Sequence, residues 1–253
     1  MGPGGLVIAT AFVAIWASAF TVAGVVVREW PPLWSLAIRF GFTAPILLAI
    51  ALAMRARWPS RRDAGRVALL GLFGMGGYLA MAWLGLGIGW SGVALLGFLR
   101  ALDGLAAAEA SGFVLAIGAA TAQAAGLLIY APAKARVDLW VASLGQTTVS
   151  ALLCLLLALL LEGAAPRSIA WFTLGGLLWS MLVVGIGGYA LYFVMLRRLP
   201  TSTASALQLL APPLAAVFGW ALLGERLFLS DILGGALTLG GLFLLVRARG
   251  RSA

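Results

Sequence analysis

PTSTASALQLLAPPLAAVFGWALLGER, residues 200–226, opens on a polar turn, runs on as a long apolar helix and closes on Gly224-Glu225-Arg226. Pro212 and Pro213 sit in its middle. Paired prolines in a helix interior remove backbone donors that lipid cannot replace. The sequence therefore predicts a helix break at Pro212 and Pro213 that faces other helices or a wet cavity. An apolar stretch interrupted in this way points to a membrane protein with an internal path.

The rest of the chain supplies companions to that stretch. It has 253 residues, 63% hydrophobic and only 10% charged, with a mean hydropathy of +1.07, far from a soluble globular domain. Crossing a hydrocarbon core of about 30 Å takes roughly 20 apolar residues as a helix. Runs of that kind are predicted at 5–27, 33–54, 66–89, 112–131, 139–161, 171–196, 203–223 and 230–246. Open sheets would leave backbone groups unsatisfied in lipid, and a barrel would show short alternating strands instead of continuous apolar runs. The fold class is all-α: a polytopic membrane helical bundle of about eight spans. The run at 5–27 lacks a basic start and is too long for a signal-peptide core, so it is read as a retained first span.

A formal charge of +9 would suggest nucleic acid in a soluble protein. Here the basic residues lie in short loops between spans, so the partner they imply is the lipid bilayer, with no nucleic acid. With the N-terminus inside, the inner loops hold twelve Lys and Arg residues, among them Arg61, Arg62, Arg66, Lys134 and Arg136, and the outer loops hold Arg28, Arg100, Arg167 and Arg226. Cytoplasmic loops carry such an excess, which predicts both termini on the cytoplasmic side of the inner membrane. Counting the short apolar run between Trp90 and Ser111 as a span would invert every later loop, so it is read as interfacial or re-entrant. The one cysteine, Cys154, falls in an apolar run and is read as a small core residue.

The chain also repeats. Gly5-Leu-Val-Ile-Ala9 resembles Gly112-Phe-Val-Leu-Ala116, Trp34 matches Trp140, and Gly76-Gly77-Tyr78 matches Gly187-Gly188-Tyr189, at offsets of 107, 106 and 111 residues. The copies are assigned to 1–110 and 111–253. The first is shorter by about one helical hairpin. Removing two spans keeps parity, so the second copy lies inverted against the first, the architecture of many secondary transporters.

Several motifs resemble the drug/metabolite transporter superfamily, in particular its EamA-type exporters. They are Ile15-Trp16-Ala17-Ser18-Ala19-Phe20, Ala37-Ile38-Arg39-Phe40, the run from Tyr192 into Pro200-Thr-Ser-Thr-Ala-Ser205, Ala211-Pro212-Pro213 and Gly224-Glu225-Arg226-Leu227. The resemblance implies two five-helix copies around a central substrate cavity with both ends cytoplasmic. The first-copy counterpart of the Pro-Pro helix is missing from this chain.

Arg39 is the charged residue clearly inside a predicted span, and an intramembrane charge is expensive enough to suggest function. Two readings stand: a cavity residue that holds a substrate carboxylate or a helix C-terminus, or a side chain that snorkels outward from roughly 10 Å inside its span. Gln123, Gln146 and Gln208 are interior polar groups that serve either the path or interhelical hydrogen bonds. Ser18 is a weaker candidate, because a hydroxyl can bond its own helix. Trp16, Tyr78, Tyr189 and Tyr192 are candidates for an aromatic cavity, and Trp30, Trp34, Trp58, Trp140 and Trp171 for an interfacial belt. Glu225-Arg226 reads as a structural pair at the outer rim.

These features predict a secondary transporter that exports a small metabolite or drug-like compound by alternating access of the two copies. Its site would come from the first, third, fourth and sixth spans and the Pro-Pro helix. The alternative is a family member that does not transport, or works only as a homo-oligomer. The chain has no histidine and no paired aspartates within spans, which argues against an intramembrane enzyme, and nothing calls for a metal or other cofactor.

Overall fold

The computed structural model describes residues 3–87, 107–167, 170–198, 207, 210–224, 232–236 and 239–240. Gln208, the Glu225-Arg226 pair and residues 90–106 of the Trp90 to Ser111 stretch lie outside the described residues. Every element that runs through the described residues is helical. Helix α1 is Pro3–Val26 and α2 is Pro32–Ala53. The third span starts as α3 (Arg61–Leu69), loosens into a π-helical segment (Leu70–Gly77) and resumes as α4 (Tyr78–Gly87). Helices α5 (Ala107–Tyr130) and α6 (Leu139–Leu161) follow. The sixth span repeats the pattern of the third, with α7 (Trp171–Leu178), a π segment (Trp179–Gly188) and α8 (Tyr189–Arg198), and α9 is Ala211–Leu223.

Six of these helices are long and apolar enough to cross a membrane, and Ala211–Leu222 is a shorter apolar helix. They coincide with the first six predicted spans, and the fourth begins several residues earlier than its predicted start at 112. The Pro-Pro pair departs from expectation. Leu210 is in a turn and α9 starts at Ala211, so Pro212 and Pro213 occupy the first helical turn and not its interior. Backbone N–H groups there have no intrahelical partner, so the prolines forfeit no bond.

Helix ends are held by specific groups. Ser60 caps α3, its Oγ accepting from the Asp63 N–H at 3.2 Å, and the Asp138 carboxylate caps α6 by accepting from the Trp140 N–H at 2.9 Å. Helix α2 opens on Pro31-Pro32 and has no side-chain cap of its own. The Glu162 carboxylate, at the far end of α6, accepts from the N–H groups of Leu33 and Trp34, each at 2.9 Å. Gly163, at φ +73°, turns the chain so that its carbonyl accepts from Trp34 Nε1 at 3.1 Å. The left-handed conformation there favours glycine.

At the opposite end, Asp63 binds Arg136 through two hydrogen bonds, from Nη2 at 2.7 Å and Nε at 3.0 Å, and Arg66 adds a third at 3.1 Å. The loops before α3 and before α6 therefore share one end of the bundle. The loops before α2 and after α6 share the other, where Thr173 Oγ1 also hydrogen-bonds Glu29. This alternation agrees with the loop assignment from the charges.

Lipid offers no hydrophobic drive for helices to associate, so contact depends on close van der Waals fit. Helix α2 lies along α6 around buried Leu33, Leu36, Phe40, Cys154 and Ala158. A Cβ on Gly126 would sit 2.4 Å from the backbone nitrogen of Gly74, so α5 and the first π segment touch backbone to backbone. The neighbours sort into two groups. Helices α2 to α6 pack mainly with one another and α1 packs mainly with α7, α8, α9 and the second π segment, while α2 also meets the second π segment and α7, and α1 meets α4. These groups differ from the sequence copies. The first helix of copy one has joined the second group, and α5 and α6 of copy two have joined the first, so the two groups interleave the sequence copies.

Candidate functional site

Between the two groups lies a cavity lined by Trp16, Ala19, Phe20 and Ala23 of α1, Arg39 of α2, Tyr78, Leu79, Ala82 and Trp83 of α4, and Val184 and Tyr189 of the sixth span. Centres of water-sized spheres occupy about 40 Å³ of it, room for a few waters. Among the described residues the lining contains none from the fourth span or the Pro-Pro helix, where residues were expected, and the second span contributes Arg39.

Arg39 is 4% exposed. It does not snorkel to the outer interface. Its carbonyl accepts from Thr43 Oγ1 at 2.7 Å, and its Cζ lies 5.4 Å from the ring centroid of Phe40, within cation–π range. Among the described residues no carboxylate lies within ion-pairing distance of it. A buried cation without an acidic partner is costly unless water or a ligand meets it, and the cavity provides that contact.

The aromatic candidates divide. Trp16, Tyr78 and Tyr189 line the cavity, with Trp16 and Tyr189 edge to face at 5.2 Å. Tyr192 lies beyond it, stacked on Phe12 at 5.6 Å, and Phe12 meets Trp16 at 5.2 Å. An aromatic stripe thus runs from the cavity along the contact between α1 and α8. Phe20 and Trp83 complete the wall and were missed. Phe20 follows Trp16 by four residues and Trp83 follows Leu79 by four, so helical spacing places each on the same face as a lining residue.

The polar candidates fall elsewhere. Ser18 Oγ donates to the Ile15 carbonyl at 2.7 Å and accepts from Trp179 Nε1 at 3.0 Å, joining α1 to the second π segment. Gln123 is half-buried on α5, away from the cavity lining. Gln146 is buried, with its backbone against Gly71 of the first π segment. Pro212 and Pro213 are half-buried in the first turn of α9, and Pro213 lies beside Gly235.

Both π segments end at a Gly-Gly-Tyr, and each tyrosine lines the cavity together with Arg39. A π segment shifts backbone bonding away from the α pattern. Near the first of them, the Ser150 hydroxyl lies 3.0 Å from the Gly71 carbonyl and 2.7 Å from that of Gln146, and is shared between them. The sequence repeat at these glycines is therefore also a structural one, and it delivers matched side chains to one cavity.

The model of the EamA-like transporter family matches residues 3–102 and 110–247. The chain belongs to the EamA-like transporter family. None of the curated proteins compared with the chain is similar enough to count as a match. A solved structure described as "Crystal structure of protein" is 19% identical and superposes with a TM-score of 0.58, covering 94% of this chain and 96% of that one. The likeness covers nearly all of both chains and concerns the fold alone.

Proposed function

We propose that this chain is a secondary transporter that carries a small organic molecule through the cavity around Arg39 by alternating access. The observation that carries the reading is a buried guanidinium, with no carboxylate paired to it among the described residues, on an aromatic-walled cavity with room for a few waters between two groups of packed helices. Intramembrane charges that face internal water mark substrate pathways. Two groups meeting at a central site can open it to either side in turn.

Orientation follows from charge. The end that holds Arg66, Arg136 and the loop from Arg55 to Arg62 is assigned to the cytoplasm, and the end where Glu162 caps α2 to the outside. Export from the cell is taken as the working direction.

The test compares cells that express the chain, its Arg39→Ala variant, or neither, at matched membrane levels, with untargeted profiling of medium and cell contents. A compound enriched outside only with the intact chain is the expected result. No difference at matched levels overturns the transport reading and returns the chain to a non-transporting or oligomer-dependent role.

A further inference from the structure

We propose that the cavity binds the anionic group of a small aromatic or apolar organic acid, and that such anions leave by uniport driven by the membrane potential. This inference rests on the transport reading above and names its substrate class and energy source.

The anion assignment follows from what surrounds Arg39. Among the described residues its guanidinium is the one formal charge on the cavity wall, beside the hydroxyls of Tyr78 and Tyr189. A cationic substrate would meet uncompensated repulsion in a site with little solvent to screen it. A carboxylate or sulfonate would instead accept charge-assisted hydrogen bonds from the planar guanidinium fork. Trp16, Phe20 and Trp83 supply flat apolar surface for the rest of the molecule. The space as it stands suits an anionic head group, and a larger body requires the walls to part.

The energy source follows from what the cavity lacks. The chain contains no histidine, and among the described residues no carboxylate belongs to the cavity lining. The walls therefore offer no group that takes up and releases a proton near neutral pH. Arginine keeps its charge throughout. The charge moved per cycle is then that of the substrate. A membrane negative on the cytoplasmic side expels anions, and one charge sustains a tenfold gradient for about 59 mV. Export of an anion needs no coupling ion.

The test uses the purified full chain in lipid nanodiscs for binding and in liposomes for flux. Its probes are benzenesulfonate, which stays charged and does not leak as a neutral acid, the neutral benzenesulfonamide, and the cationic benzyltrimethylammonium. The expected result is at least tenfold tighter binding of benzenesulfonate than of either other probe. Arg39→Gln should erase that preference while still binding benzenesulfonamide, which shows that the variant is folded, and Arg39→Lys should keep most of it. Loaded liposomes should release benzenesulfonate faster when the lumen is made negative, without a change in lumen pH.

Equal binding of the three probes, or a preference that survives in Arg39→Gln, overturns the anion assignment, and protein-dependent flux of the uncharged or cationic probe in the same liposomes would leave the transport reading standing. Selective binding of benzenesulfonate without protein-dependent flux of any probe overturns uniport together with the transport reading. Flux that ignores the potential and moves protons overturns uniport alone.

Discussion

Arg39 and Glu162 are charged residues whose surroundings set opposite roles. Arg39 faces a cavity and meets no carboxylate among the described residues. Glu162 receives two backbone N–H groups at the start of α2, each at 2.9 Å. Its negative charge also lies at the positive end of the helix dipole. Capping groups of this kind are worth about 0.5–2 kcal/mol. Glu162→Gln keeps one acceptor and should cost about 1 kcal/mol, and Glu162→Ala should cost about 2 kcal/mol. Unfolding in mixed micelles reads both changes. Flux per folded molecule should be unaltered, since Glu162 lies apart from the cavity. Glu162 escaped the sequence reading because its partner is 129 positions away, whereas the Asp138 cap lies two residues from the N–H it accepts.

At the scale of elements, what was legible depended on whether one helix or two had to be known. Length and hydropathy belong to a single helix, so the first six spans could be read directly. The direction in which Arg39 points depends on how α2 is rotated against α4 and the sixth span. That left snorkelling and cavity readings equal. Gly-Gly-Tyr was legible twice as a repeat, but glycine only permits close approach, and the π geometry comes from the neighbours that exploit it. Gly126→Ala tests this. Its Cβ would fall 2.4 Å from the Gly74 nitrogen and 2.6 Å from the Gly74 Cα, and backbone cannot yield as a flexible side chain would. The expected loss is about 1–3 kcal/mol, as for overpacking of a tight core. Gly41 has nothing within 4 Å of the same position, so Gly41→Ala should be neutral or stabilise by up to about 1 kcal/mol from helix propensity. Thermal unfolding of the two variants side by side decides it, and equal stabilities would remove the close contact from the account.

Across the whole molecule, the sequence repeat and the physical halves do not coincide. Helix α1 packs with α7 to α9, and α5 and α6 pack with α2 to α4, because a helix chooses neighbours by surface fit and not by position in the chain. Under the alternating access proposed above, the two interleaved groups move against each other, with Arg39 and Tyr78 on one wall and Trp16 and Tyr189 on the other. Two disulfides test that division in a Cys154→Ala background, where no native thiol remains. Thr43→Cys with Gly185→Cys joins the groups. A Cβ on Gly185 would lie 3.8 Å from Thr43 Cγ2 and 3.9 Å from Thr43 Oγ1, the two positions a sulfur at residue 43 could take, so a small backbone adjustment closes the bond. Val67→Cys with Gly145→Cys joins α3 to α6 inside one group, where the two Cβ positions are 3.7 Å apart. Oxidation of the first pair should stop substrate flux and reduction should restore it. Oxidation of the second should leave flux within about twofold, since a group that moves as a unit loses nothing by an internal link. Loss of flux from the second pair alone would place the moving boundary between α3 and α6, and the seam through the cavity would then be static.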